Sequence, residues 1–163
     1  MKKLLLILLL LPITSFSQIS EVDESDLGTQ IGRHMFVFQG SIEGGVTLNK
    51  LKIENNVEYH SLIWANDRYD EPGERTELKF KSTTEDINSL FEIFKNVIKT
   101  DKQKVLKLEN KTVTIKPSSF KDEVIFMYEL NGENKYFFIK AKGLYELFGK
   151  PWNKKEWREY LKS

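Results

Sequence analysis

The sequence predicts an α+β domain built from antiparallel β-meanders, in the order ββββαββββα, with helices packed on one face. Three observations lead there. Residues 82–100 (STTEDINSLFEIFKNVIKT) have the pattern of one strongly amphipathic helix in mid-chain, with strand-like runs on both sides. Asn131-Gly132 separates two apolar runs and has the chemistry of a type I′ hairpin turn. Three-residue links at 54–56 and 109–111 are also short, and short links join antiparallel neighbours. Helices laid over one face of such a sheet give an α+β architecture.

The N-terminus reads as an address rather than as part of the fold. Lys2 and Lys3 form a charged start, residues 4–11 are an unbroken apolar run, and Ser15 and Ser17 are small residues in front of a cleavage point before Gln18. The apolar run falls short of the ~20 residues that span a bilayer. Residues 1–17 are therefore expected to be a cleaved bacterial signal peptide, delivering the chain to the periplasm or the medium with no transmembrane segment in the mature form. The chain has no cysteine, so lipid attachment at an N-terminal cysteine, disulfides and thiol chemistry are all excluded. Residues 18–30 are polar, with Glu21, Asp23, Glu24 and Asp26 ahead of the first base, Arg33. They read as a flexible acidic leader before a single domain over residues 31–163.

Within that domain the strands come in order. Residues 31–39 (IGRHMFVFQ) form the first, and residues 40–45 read as a glycine-rich turn. Residues 46–53 follow. There Val46 and Leu48, then Leu51 and Ile53, change parity, and a bulge at Asn49-Lys50 would restore the facing. Residues 57–65 and 75–81 are the third and fourth strands, separated by the polar loop 66–74. The mid-chain helix carries Ile87, Leu90, Phe91, Phe94, Val97 and Ile98 at helical spacing. Its start is marked by a capping box, either Ser82 with Glu85 or Thr83 with Asp86.

Beyond the helix, residues 103–108 and 112–116 form one hairpin and residues 123–130 and 134–140 a second. Residues 143–148 are a short helical run stopped by Gly149 and Pro151. Asn153 can cap a last helix over residues 154–161. Phe80, Ile87, Leu90 and Phe91 recur as Phe137, Leu144, Leu147 and Phe148, each 57 positions on. That weak internal echo is what a duplicated strand-then-helix unit would leave. Several strands are apolar on both faces, as at Phe36 with Val37, Ile125 with Phe126, and Phe137 with Phe138. Either the sheet curls around its second face, or that face meets a ligand or partner.

Few residues are equipped for chemistry. Without Lys2 and Lys3 the 25 basic residues become 23, against 24 acidic ones, a balance that gives no reason to expect nucleic-acid binding. His34 and His60, the only histidines, fall in separate strands with no metal-ligand spacing. Ser61 beside His60 forms no triad, because neighbours on a strand point to opposite faces. Asp67, Asp70, Glu71 and Glu74 cluster in the 66–74 loop, but they match no calcium-binding pattern, and Arg68 and Arg75 can neutralise them. No catalytic residue, metal site or cofactor is assigned.

The C-terminal stretch is the most suggestive. Residues 135–163 hold eight Lys or Arg against Glu146, Glu156 and Glu159. Trp152, Lys154, Lys155, Trp157, Arg158 and Tyr160 interleave bases with aromatics there, a combination that binds partner surfaces, sugars or anionic polymers through stacking and charge. The competing account is that the two indoles pin the last helix to the sheet, with the cations in water. The expectation is an exported, non-enzymatic module that binds a protein or an envelope component. Two alternatives are a carrier holding a small apolar ligand between sheet and helix, and a small glycan hydrolase using two carboxylates in one cleft.

Overall fold

The structure is a computed structural model that describes residues 28–38, 41–53, 57–66 and 74–163. The expected signal peptide, nearly all of the acidic leader, the turn at 54–56 and the carboxylates Asp67, Asp70 and Glu71 lie outside the described residues.

The eight strands divide into two antiparallel meanders of four. In the first, β1 (Thr29–Phe38), β2 (Ser41–Ile53), β3 (Val57–Asn66) and β4 (Thr76–Lys81) pair in chain order. Helix α1 (Thr84–Thr100) leads to the second: β5 (Lys104–Leu108), β6 (Lys111–Pro117), β7 (Glu123–Leu130) and β8 (Glu133–Lys140). Helices α2 (Ala141–Leu147) and α3 (Lys154–Lys162) end the chain. The predicted α+β class and element order hold. The described strands make two open sheets rather than one closed shell.

Helix α1 starts on the second of the two predicted capping boxes. Thr83 Oγ1 accepts from Asp86 N–H at 3.2 Å, and Asp86 Oδ2 accepts from Thr83 N–H at 2.8 Å. Asp101, at φ 55°, ends it with a left-handed residue. Ile87, Leu90, Phe91, Phe94 and Val97 are buried, so the amphipathic stripe is core.

The interior joins both sheets and α1 through aromatic rings. Phe94 of α1 stacks on Phe126 of β7 at 5.9 Å, and Phe126 stacks on Phe137 of β8 at 5.0 Å. Trp64 of β3 comes in from the first sheet, 5.9 Å from Phe126 and 5.4 Å from Phe137. All four side chains are buried to within 1%. Each contributes on the order of 1.5–3 kcal/mol by burial, and a cysteine-free domain depends on such packing.

The 57-residue echo has a structural counterpart. All eight residues of the echo are buried. Helices α1 and α2 begin at Thr84 and Ala141, which are themselves 57 positions apart. The second copy is cut short, because Gly149 and Pro151 end α2 and the chain resumes as α3.

Three local expectations are corrected. Residues 41–45 are not a turn: β2 begins at Ser41, because Gly44 and Gly45 pair with Asn66 and Ala65. No bulge falls at Asn49-Lys50, where β2 keeps unbroken register with β3. The β1 side of the ladder is irregular between Gln30 and Gly32, facing Asn49 and Leu48, and again between Met35 and Val37. Thr29 and Gln30 belong to β1 rather than to a leader. The Asn131-Gly132 turn is as predicted, with φ 54° and 84°. Among the described residues no helix is long and apolar enough to cross a membrane.

Candidate functional site

The site is built around α3. Asn153 Oδ1 accepts from the backbone of Lys155 at 3.0 Å and of Glu156 at 3.4 Å, and Asn153 Nδ2 donates to Glu156 Oε1 at 2.7 Å. This cap sets the helix so that Trp157 turns inward. Trp157 is 3% exposed and is the one buried residue of α3. Its ring stacks on Tyr160 at 5.5 Å and meets Trp152 at 5.9 Å and Tyr145 at 6.2 Å. Tyr145 in turn packs edge-on to Trp152 and to Phe91 of α1, each at 5.0 Å. An aromatic ladder therefore runs from α1 to α3. Burial raises the pKa of both Tyr145 and Tyr160, so both stay neutral phenols; Glu92 adds to each shift, and Lys95 opposes it at Tyr160.

Beside this ladder lies a cleft of about 280 Å³ between α3, the start of α2 and the β6–β7 connection. Of the predicted residues, Trp152, Lys154, Trp157 and Arg158 line it. Lys155 and Tyr160 do not. Tyr160 packs beneath Lys95 and Lys99 of α1, whose Nζ atoms sit 4.5 and 4.8 Å from its ring centre. The two indoles differ: Trp157 is buried as a pin, while the half-buried Trp152 lines the cleft.

Three further cations complete the lining: Lys121, Lys140 and Lys142. The lining carboxylate is Asp122. Among the described residues Lys142 alone of the five cations has a carboxylate within ion-pair reach, Glu146 at 3.5 Å. The β6–β7 connection is braced. Ser118 Oγ donates to Glu123 Oε2 at 2.6 Å and accepts from Phe120 N–H at 3.2 Å, and Ala141 N–H donates to Asp122 O at 2.9 Å. Phe120 is left 67% exposed beside Lys121. The indole N–H of Trp157 is buried without a hydrogen-bond partner.

Sequence reading found the α3 half of this cleft and missed the rest. Lys140 and Lys142 stood out only as part of a basic tail, and Lys121 carries no local signal. The connection that brings it in is fixed by tertiary contacts.

Two histidine contacts lie elsewhere. His60 is buried on the core face of β3, with Nδ1 2.8 Å from Ser82 Oγ. Burial lowers its pKa, reinforced by Lys50 and opposed by Glu58, Ser82 and Asp86. Ser61 faces the other way, within 3.5 Å of Asn49 Nδ2. His34 Nδ1 lies 2.8 Å from Glu146 Oε2. Burial would raise the Glu146 pKa, but His34 and Lys142 together bring it below the usual value. Among the described residues no group of three or more His, Asp or Glu is placed to hold a metal ion. A second groove, of about 330 Å³, runs between α1 and β5 over Leu90, Ile93, Leu106 and Leu108.

The chain matches no protein-family model, and no curated protein matches it in sequence.

Proposed function

We propose that the protein is an exported, non-enzymatic binding module of the periplasm or secreted fraction, and that the C-terminal cleft is where it takes a protein or an envelope component. One observation carries this reading. Five cations and two indoles converge on one cleft with a single lining carboxylate. Four of the cations have no ion-pair partner among the described residues. Charges held close together without counter-charges repel one another and favour an incoming anion. The accessible Trp152 supplies contact area at low entropic cost.

Two further observations weigh between this reading and its rivals. A carrier needs an enclosed apolar cavity between sheet and helix; among the described residues Trp64, Phe94, Phe126 and Phe137 fill the interior, and the α1–β5 groove is rimmed by Lys81, Asp86, Lys107 and Glu109. A carboxylate-based hydrolase needs one acid with a raised pKa. Among the described residues, the carboxylates with a displaced pKa, Glu58, Asp86 and Glu146, are all lowered.

The test is a crosslinking pull-down from the native envelope with wild type, Trp152→Ala and Lys154→Glu/Arg158→Glu. A partner captured by wild type and lost from both variants, with unchanged melting, is the expected result. Equal capture by all three would reject the cleft as the site.

A further inference from the structure

We infer that the cleft and the Phe120 tip together dock on an anionic phospholipid surface, with headgroup phosphates among the cations and the Phe120 ring at the acyl boundary. This rests on the reading of the cleft as a binding site and names what it binds.

Among the described residues, Phe120 and Val105 are the large apolar side chains left exposed, at 67% and 59%. Phe120 is not on a slack loop. The Ser118 hydroxyl ties its backbone N–H to the Glu123 carboxylate, and Ser118 N–H donates to Glu123 O at 3.1 Å. A braced turn that holds a phenyl ring in water gains nothing by it within this molecule.

The next residue, Lys121, lines the cleft with Lys140, Lys142, Lys154 and Arg158. An exposed apolar ring thus sits one residue from a cation of the cleft. A soluble anion would use the cations but give the ring no role. A lipid boundary uses both, since it sets phosphate oxygens directly above hydrocarbon, where an aromatic ring partitions and long cationic side chains reach the headgroups. The formal charge of the chain is only +1, so this basic face is a local concentration and not a by-product of overall charge. Cations near an anionic membrane each strengthen binding about fivefold, an effect that fades within a Debye length.

Vesicle sedimentation tests this with the chain in the form the cell yields. Every variant shares the same N-terminus, so differences between variants belong to the cleft and tip. The vesicles are phosphatidylcholine alone, or phosphatidylcholine with about one third phosphatidylglycerol. Binding is expected on the anionic vesicles only, weakened by raised salt. Lys154→Glu/Arg158→Glu should weaken it by twentyfold or more, and Phe120→Ser by about tenfold with melting unchanged. Glycerol phosphate at matched phosphate concentration should not compete.

Equal binding to both vesicle types overturns the inference. So does loss on charge reversal with no effect of Phe120→Ser, or displacement by glycerol phosphate, since either result marks a site for soluble anions. No vesicle binding, together with a pull-down still lost in the cleft variants, would mark a protein partner and overturn the lipid assignment alone. Failure of both experiments would remove the cleft reading itself.

Discussion

Gly143 of α2 lies flush against the His34 ring of β1: a Cβ at Gly143 would stand 2.6 Å from His34 Nε2. The ring cannot swing away freely, because its Nδ1 is held by Glu146 one helical turn further on. The opposite wall is equally close. A Cβ on Gly32 of β1 would run into the backbone carbonyls of Glu146 and Leu147. Gly143→Ala is expected to cost ~1–3 kcal/mol by overpacking, despite the better helix propensity of alanine. Gly32→Ala should cost more, because backbone atoms yield less readily than a ring. Urea unfolding of both variants measures this, and a stabilised Gly143→Ala would refute the close seating.

Phe94 has no exposed surface and stacks on Phe126 where α1 meets the second sheet. Phe94→Ala is expected to cost ~3–5 kcal/mol. A loss below ~1 kcal/mol in chemical denaturation would mean that α1 is not core.

The buried His60 makes stability depend on pH. Its folded pKa lies below the ordinary 6.5, first because of burial and then because of Lys50. As pH falls through about 6.5 the unfolded chain takes up a proton that the folded chain refuses, so the unfolded state binds more protons and stability declines. Glu58, Asp86 and Glu146, lowered from their ordinary values, add a separate loss at more acidic pH. His60→Gln retains a polar partner for Ser82 and cannot titrate. It should flatten the stability profile between about pH 7 and 5.5 while leaving the more acidic decline in place. Melting temperatures across that range decide it, and an unaltered slope would count against His60 as the source.

The two indoles should separate in mutagenesis. Trp157→Ala removes the one buried side chain of α3 and is expected to lower Tm by on the order of 10 °C. Trp152→Ala should melt within a few degrees of wild type and lose binding instead. Calorimetry on the two variants distinguishes pin from contact, and equal shifts would reject the division of labour.

Much of this fold could be read in the chain because its signals are local. The Thr83–Asp86 box and the Asn131-Gly132 turn lie within a few residues and are satisfied by their own neighbours, and the Ile87 to Val97 stripe shows in its spacing although its packing partners are distant. Residues 41–45 misled because glycine content describes a preference, whereas the ladder to Ala65 and Asn66 decided the outcome. The division of eight strands into two sheets is likewise non-local, and no feature of the 82–100 segment announces it. The same limit governed the cleft. Trp152, Lys154 and Arg158 sit together in sequence and were found. Lys121 reaches them only because the Ala141 to Asp122 hydrogen bond ties the β6–β7 connection to the start of α2.

The thin anchorage of α3 has a thermodynamic consequence. A nine-residue helix with one fully buried side chain, Trp157, and the partly buried Tyr160 against α1 is expected to open at less than the global free energy of unfolding. Opening would carry Lys154 and Arg158 away from Lys121 and Lys140, so the cleft exists only in the closed population. An anion that bridges the two sides adds its binding free energy to closure, and amide exchange in residues 154–162 becomes a direct readout of occupancy.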